Sequence, residues 1–152
     1  MKTGFRASIG VGIMAAAVAF APGASAEVMN FKAELKGSSE VPANDSEGWG
    51  LVTVSYDSIS KKMSFIVKWQ SMKTPPLAAH FHGPADAESE AGVVVTMKLT
   101  ALGRMPSLNT QRGEVTLTDS QAADLLAGKW YFDFHTERFP RGELRGQVIR
   151  TD

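Results

Sequence analysis

The sequence predicts an all-β sandwich or barrel with one short helix, and three observations carry the prediction. From Val28 onward, short segments of alternating or β-branched composition recur; turn-forming residues separate them; and one segment alone has helix start and stop signals. "WGLVTVSYD" (Trp49 to Asp57) alternates, and "KMSFIVKW" places Met63, Phe65, Val67 and Trp69 on one face, as a half-buried strand requires. "GVVVTMKL" (Gly92 to Leu99) and "GEVTL" (Gly113 to Leu117) are rich in β-branched residues, and "KWYFDFHT" (Lys129 to Thr136) and "ELRGQVIR" (Glu143 to Arg150) complete seven or eight strands. In "TDSQAADLLAGK", Thr118 and Gln121 have capping-box spacing, Ala122, Leu125 and Leu126 form an apolar stripe, and Gly128 is placed to end the helix. "FPRG" (Phe139 to Gly142) has Pro at the second turn position and Gly at the fourth, so the last two long strands should pair as a hairpin.

The chain opens with Lys2 and Arg6 ahead of an apolar run from Ile9 to Phe20, followed by small residues at Ala24 and Ala26. This is the pattern of a secretory signal peptide, and the run is too short for a membrane span. Residues 1–26 are therefore expected to be removed near Ala26, leaving 27–152 as one domain in the periplasm or the medium, with no transmembrane segment of its own. There is no cysteine, which excludes disulfides, thiolate metal sites and a lipidated N-terminal cysteine. The 16 basic residues balance 16 acidic ones, and losing Lys2 and Arg6 tips the mature chain only mildly negative. That argues against nucleic acid as a partner.

All three histidines fall on the less apolar faces of their strands. Phe81 lies opposite His80 and His82, while Trp130, Phe132 and Phe134 leave Tyr131, Asp133 and His135 on the other side. Two imidazoles at i and i+2, about 6.5 to 7 Å apart at the backbone, can converge on one ion at roughly 2.0 to 2.1 Å per nitrogen. His135 is the available third ligand, and Asp133 the carboxylate best placed to orient a ring. A sulfur-free imidazole set suits Cu(II) or Zn(II). Against this stands the plainer reading of solvated strand histidines, with the loops contacting an unknown protein partner. The acidic loop of Asp86, Glu88 and Glu90 lacks calcium-ligand spacing and is expected to be solvated. Arg138, Arg141 and Arg145 are expected to form a rim of ion pairs with Glu137 and Glu143, and Trp49, Trp69 and Trp130 to lie in the core. Asn44 to Ser46 is formally a glycosylation sequon.

"AHFHGPA", "GVVVTMKL", "FKAELKGSSEVP" and "LTDSQAADLLAGKWYFDFHTERFPRGELRGQV" together resemble the CHRD domain, the module named after chordin and also found in bacterial secreted proteins. The resemblance spans nearly the whole mature chain. It implies an immunoglobulin-like, Cu,Zn superoxide dismutase-like Greek-key sandwich or barrel. Those dismutases also carry a His-x-His pair and a later histidine, but three histidines cannot supply a two-metal centre and no cysteine is present for their disulfide. The expectation is a mononuclear site at His80, His82 and His135, and no superoxide dismutase activity.

Overall fold

The computed structural model describes residues 27–99 and 109–151; residues 1–26, where a signal peptide is expected, lie outside the described residues. Nine strands, β1 (Val28–Lys36), β2 (Trp49–Asp57), β3 (Lys62–Gln70), β4 (Pro76–His82), β5 (Val93–Thr96), β6 (Asn109–Thr116), β7 (Tyr131–Thr136), β8 (Leu144–Gln147) and β9 (Ile149–Arg150), form one sheet. Its order is β5-β4-β7-β8-β1-β2-β3-β6, with β9 on β1, and every pairing is antiparallel. The sheet wraps almost completely on itself, and the Gln111 side chain of β6 reaches across the seam to donate to the Lys98 carbonyl just past β5. No helix among the described residues is long and apolar enough to cross a membrane.

The alternation read from the sequence sets which face closes inward. Met29, Phe31, Ala33 and Leu35 of β1 are buried against Val52, Val54 and Tyr56 of β2 and Met63, Phe65, Val67 and Trp69 of β3. Trp130 and Trp69 are core residues, but Trp49 is only half-buried, because it stands at the end of β2 with the outward parity of Leu51. "GVVVTMKL" gives a strand only over Val93–Thr96, after which Met97 turns into the core.

The helix α1 (Asp119–Leu126) has the expected capping box: the Gln121 amide donates to Thr118 Oγ1, and the Thr118 amide donates to the Gln121 side chain. Ala122 and Leu125 are buried, but Leu126 is exposed, since α1 lays a narrow stripe against the sheet. Gly128 follows in the left-handed conformation, φ 70°.

Beneath the histidine strand lies an aromatic cluster. Phe81 meets Phe65 and Phe132 edge to face at 5.0 and 4.9 Å and Trp130 at 5.9 Å. Burying such a ring stabilises the fold by roughly 1.5–3 kcal/mol. A one-residue slip of β4 would expel Phe81 and draw both histidines inward, so the core fixes the direction in which His80 and His82 point.

Candidate metal centre

β4 and β7 are hydrogen-bonded neighbours, and their register places His80 opposite Asp133, His82 opposite Tyr131, and His135 opposite Ala78. The residues singled out from the sequence therefore meet on one outer face. Ligand atoms of His80, His82, Asp133 and His135, one from each, all lie within 4.8 Å of one another. His82 Nε2 is 3.2 Å and His135 Nε2 3.3 Å from the same oxygen, Asp133 Oδ1. Tetrahedral bonds of about 2.0–2.1 Å put donor atoms roughly 3.3–3.4 Å apart, so these two spacings already suit a shared ion.

This outer face is not open to water as a whole. His82 and Asp133 are buried, and His80 and His135 are half-buried. The segment Gly83–Gly92 folds over it: the Gly83 amide donates to the Gly92 carbonyl at 3.3 Å, the Ala85 amide to the Lys129 carbonyl at 2.8 Å, and Gln147 Nε2 to the Ala85 carbonyl at 2.9 Å. Gly83 is required by close approach, because a Cβ there would sit 2.7 Å from the Trp130 ring. The side chains of Asp86, Glu88 and Glu90 remain exposed, as expected, while their backbone forms the cover.

The Nδ1 atoms of His82 and His135 both have backbone partners. His82 Nδ1 lies 2.9 Å from the Ala91 carbonyl and His135 Nδ1 3.1 Å from the Pro140 carbonyl. A carbonyl oxygen only accepts, so each Nδ1 carries the hydrogen and each neutral ring turns an Nε2 lone pair toward Asp133. Asp133 thus faces the free nitrogens, and the orienting contacts come from the main chain. The Pro140 carbonyl is held by a tight turn in which the Gly142 amide donates to Phe139 O at 3.1 Å, with Gly142 at φ 139°. Asn44 Nδ2 ties that turn down through the Gly142 and Glu143 carbonyls, 3.0 and 3.1 Å away. The sequon asparagine is thereby engaged in the fold.

Two lone pairs and a carboxylate oxygen cannot face one another without a positive charge among them. His80 Nδ1, His82 Nε2 and Asp133 Oδ1 are all buried and make no well-directed hydrogen bond. In the metal-free protein, protons supply part of the charge. Asp133 is the first cause that raises His135 above the ordinary imidazole value; burial works against charging His82, but the same carboxylate prevails there. Asp133, despite its burial, is held below the usual carboxylate range by the two rings. His80 moves the other way, since burial favours its neutral, ligand-competent form. A divalent cation would answer all of these orphaned atoms together, so the donor set fits such an ion.

Three neighbours bear on the donor set in ways that strand parity alone does not assign. Tyr131 stacks on His82 with ring centroids 4.8 Å apart and planes 2° from parallel. Arg145, expected in a surface rim, is instead 2% exposed, with its guanidinium carbon 3.6 Å from the Tyr131 ring centroid. Arg138 and Arg141 do form surface pairs, but with Asp45 and Glu90. Glu143 is buried and accepts from Ser46 and Thr136 hydroxyls at 2.7 and 2.6 Å. The third neighbour, Glu40, is buried beside Gly142, and its carboxyl is pushed up to about 8, chiefly by burial and then by Asp133. Strand parity already places Tyr131 on the face of Asp133, and only its stacking partner is new; Glu40 gives no sequence signal.

The CHRD domain family model matches residues 31–148. No curated protein and no solved structure matches the chain.

Proposed function

The chain belongs to the CHRD domain family, and from that membership and its outer-face donor set we propose an exported single-domain protein that binds one Cu(II) or Zn(II) ion. His80, His82 and His135 are the nitrogen ligands, and Asp133 contributes its carboxylate to the same ion. The carrying observation is that one ligand atom from each of the four side chains lies within 4.8 Å of the others, while His80 Nδ1, His82 Nε2 and Asp133 Oδ1 are buried without hydrogen-bond partners. The tautomers fixed by Ala91 and Pro140 support the reading, because they leave both Nε2 atoms free toward the ion. The segment before Ala26, with Lys2, Arg6 and its apolar run, is the export signal that delivers the domain to the periplasm or medium.

The test is titration of the untagged chain 27–152 with Cu(II) and with Zn(II), beside a variant lacking all three histidines, followed by calorimetry and thermal melting. One ion per chain and a melting temperature raised only in the histidine-containing protein are expected. Equal heats and equal melting shifts in the two proteins would end the proposal.

A further inference from the structure

Arg145 is a buried cation that, among the described residues, has no carboxylate within salt-bridge distance, and such a charge demands another role. Its Nη2 donates to two carbonyls of the covering segment, Asp86 O at 3.1 Å and Ser89 O at 2.6 Å. Its flat face lies on Tyr131, and Tyr131 lies on His82. The Tyr131 hydroxyl accepts from the Ala91 amide at 3.1 Å and approaches the Ala91 carbonyl at 3.3 Å. That carbonyl is the one that fixes His82 Nδ1. Guanidinium, phenol and imidazole therefore form one column, and the segment holding the ring's backbone partner hangs from the column's far end.

We propose that Arg145 is the positioning residue of the metal centre, holding His82 in a single orientation and tautomer through the Tyr131 stack and through the Asp86 and Ser89 carbonyls. The geometry uses both properties of a guanidinium, a planar donor edge and a stackable face, and a lysine ammonium has neither. The inference rests on the metal-binding reading, and one of its two readouts does not need metal.

The experiment compares wild type, Arg145→Lys and, as an exposed control, Arg141→Lys. In the metal-free proteins, solvent exchange of the His82 Nδ1 hydrogen is followed by NMR; in the Cu(II)-loaded proteins, the electron paramagnetic resonance spectrum and the affinity are measured. Arg145→Lys is expected to speed that exchange at least about ten-fold, weaken Cu(II) by roughly 10- to 100-fold and broaden or shift the Cu(II) spectrum, as loss of an orienting partner does. Arg141→Lys should change none of these. Unchanged His82 exchange in a folded Arg145→Lys protein overturns the proposal, as does an unchanged Cu(II) spectrum and affinity. If Arg145→Lys does not fold, Tyr131→Leu decides by the same readouts, since it removes the ring while leaving the guanidinium its two carbonyls. If wild type binds no metal, the functional reading falls, whereas the exchange measurement still decides what Arg145 does to His82.

Discussion

Replacing Glu40 by glutamine isolates a charge that the fold keeps from forming. Burial, then Asp133, raises this carboxyl from 4.5 to about 8, against opposing pulls from Arg145 and His135. Between those values the folded chain holds a proton that the unfolded chain has released. The native state binds more protons there, so stability falls as pH rises, at up to about 1.4 kcal/mol per pH unit. The contribution is complete below 4.5 and has been lost above about 8. The full swing across that window approaches 5 kcal/mol, and residual access to water reduces it to roughly 3 kcal/mol. Glutamine cannot ionise, so Glu40→Gln should come within about 1 kcal/mol of wild type near pH 5 and exceed it by about 3 kcal/mol at pH 9. Urea unfolding at pH 5, 7 and 9, in chelator and with equal m-values, reads this difference. The histidines titrate in both proteins and largely cancel. A difference that stays flat with pH would refute the claim that Glu40 is neutral in the fold. With a divalent ion bound nearby, the ionised form is favoured and the gap at pH 9 should narrow.

Other perturbations address the site and its frame. Because His82 and His135 take up protons more readily than ordinary imidazoles, metal affinity should fall as pH drops, by up to about 100-fold per unit where two protons compete; chelator competition between pH 5 and 8 measures it, and a pH-independent affinity would contradict it. Asp133→Asn keeps the shape and removes the charge, so Cu(II) or Zn(II) should bind about 10- to 100-fold more weakly by calorimetry. Gly146→Ala would place a Cβ 2.3 Å from the Glu34 carbonyl on β1, forcing β8 off its neighbour at a cost of at least about 2 kcal/mol in chemical unfolding. Thr118→Ala removes one arm of the capping box and should cost about 1 kcal/mol while leaving metal affinity unchanged.

What the sequence reveals here follows the range of the interactions involved. Period-two alternation is local, so it places Met63, Phe65, Val67 and Trp69 on the core face of β3, where they are buried. The outward direction of His80, His82 and His135 follows from the same arithmetic applied to Phe81 and to Phe132 and Phe134. The adjacency of β4 and β7 is not local, since β5, β6 and α1 intervene in the chain. Strand parity also reports only which face of the sheet a residue occupies. It could not show that Gly83–Gly92 returns across the outer face and buries His82 and Asp133. The same holds for Arg145: its charge alone points to a surface rim, but its cover comes from a segment more than fifty residues away in the chain.

That cover bears on why a polar cluster occupies this face. Unpaired buried polar groups cost free energy, and a sheet face open to water would have let each imidazole be solvated at no penalty. Here the chain excludes water from His82 and Asp133 while keeping His80 and His135 half exposed. The metal-free protein therefore carries a standing electrostatic mismatch, which protons relieve only incompletely, because His80 is driven toward its neutral form. On the proposed reading, binding an ion would remove the mismatch in the folded state alone and so link metal affinity to fold stability. The half-exposed edge at His80 and His135 would then be the side from which an ion enters without unlatching Arg145 from the covering segment. An ion-binding rate that stays the same when His82 is shielded more tightly, but falls when a bulky side chain replaces half-buried Ala78, which pairs with His135 across β4 and β7, would be the kinetic mark of this route.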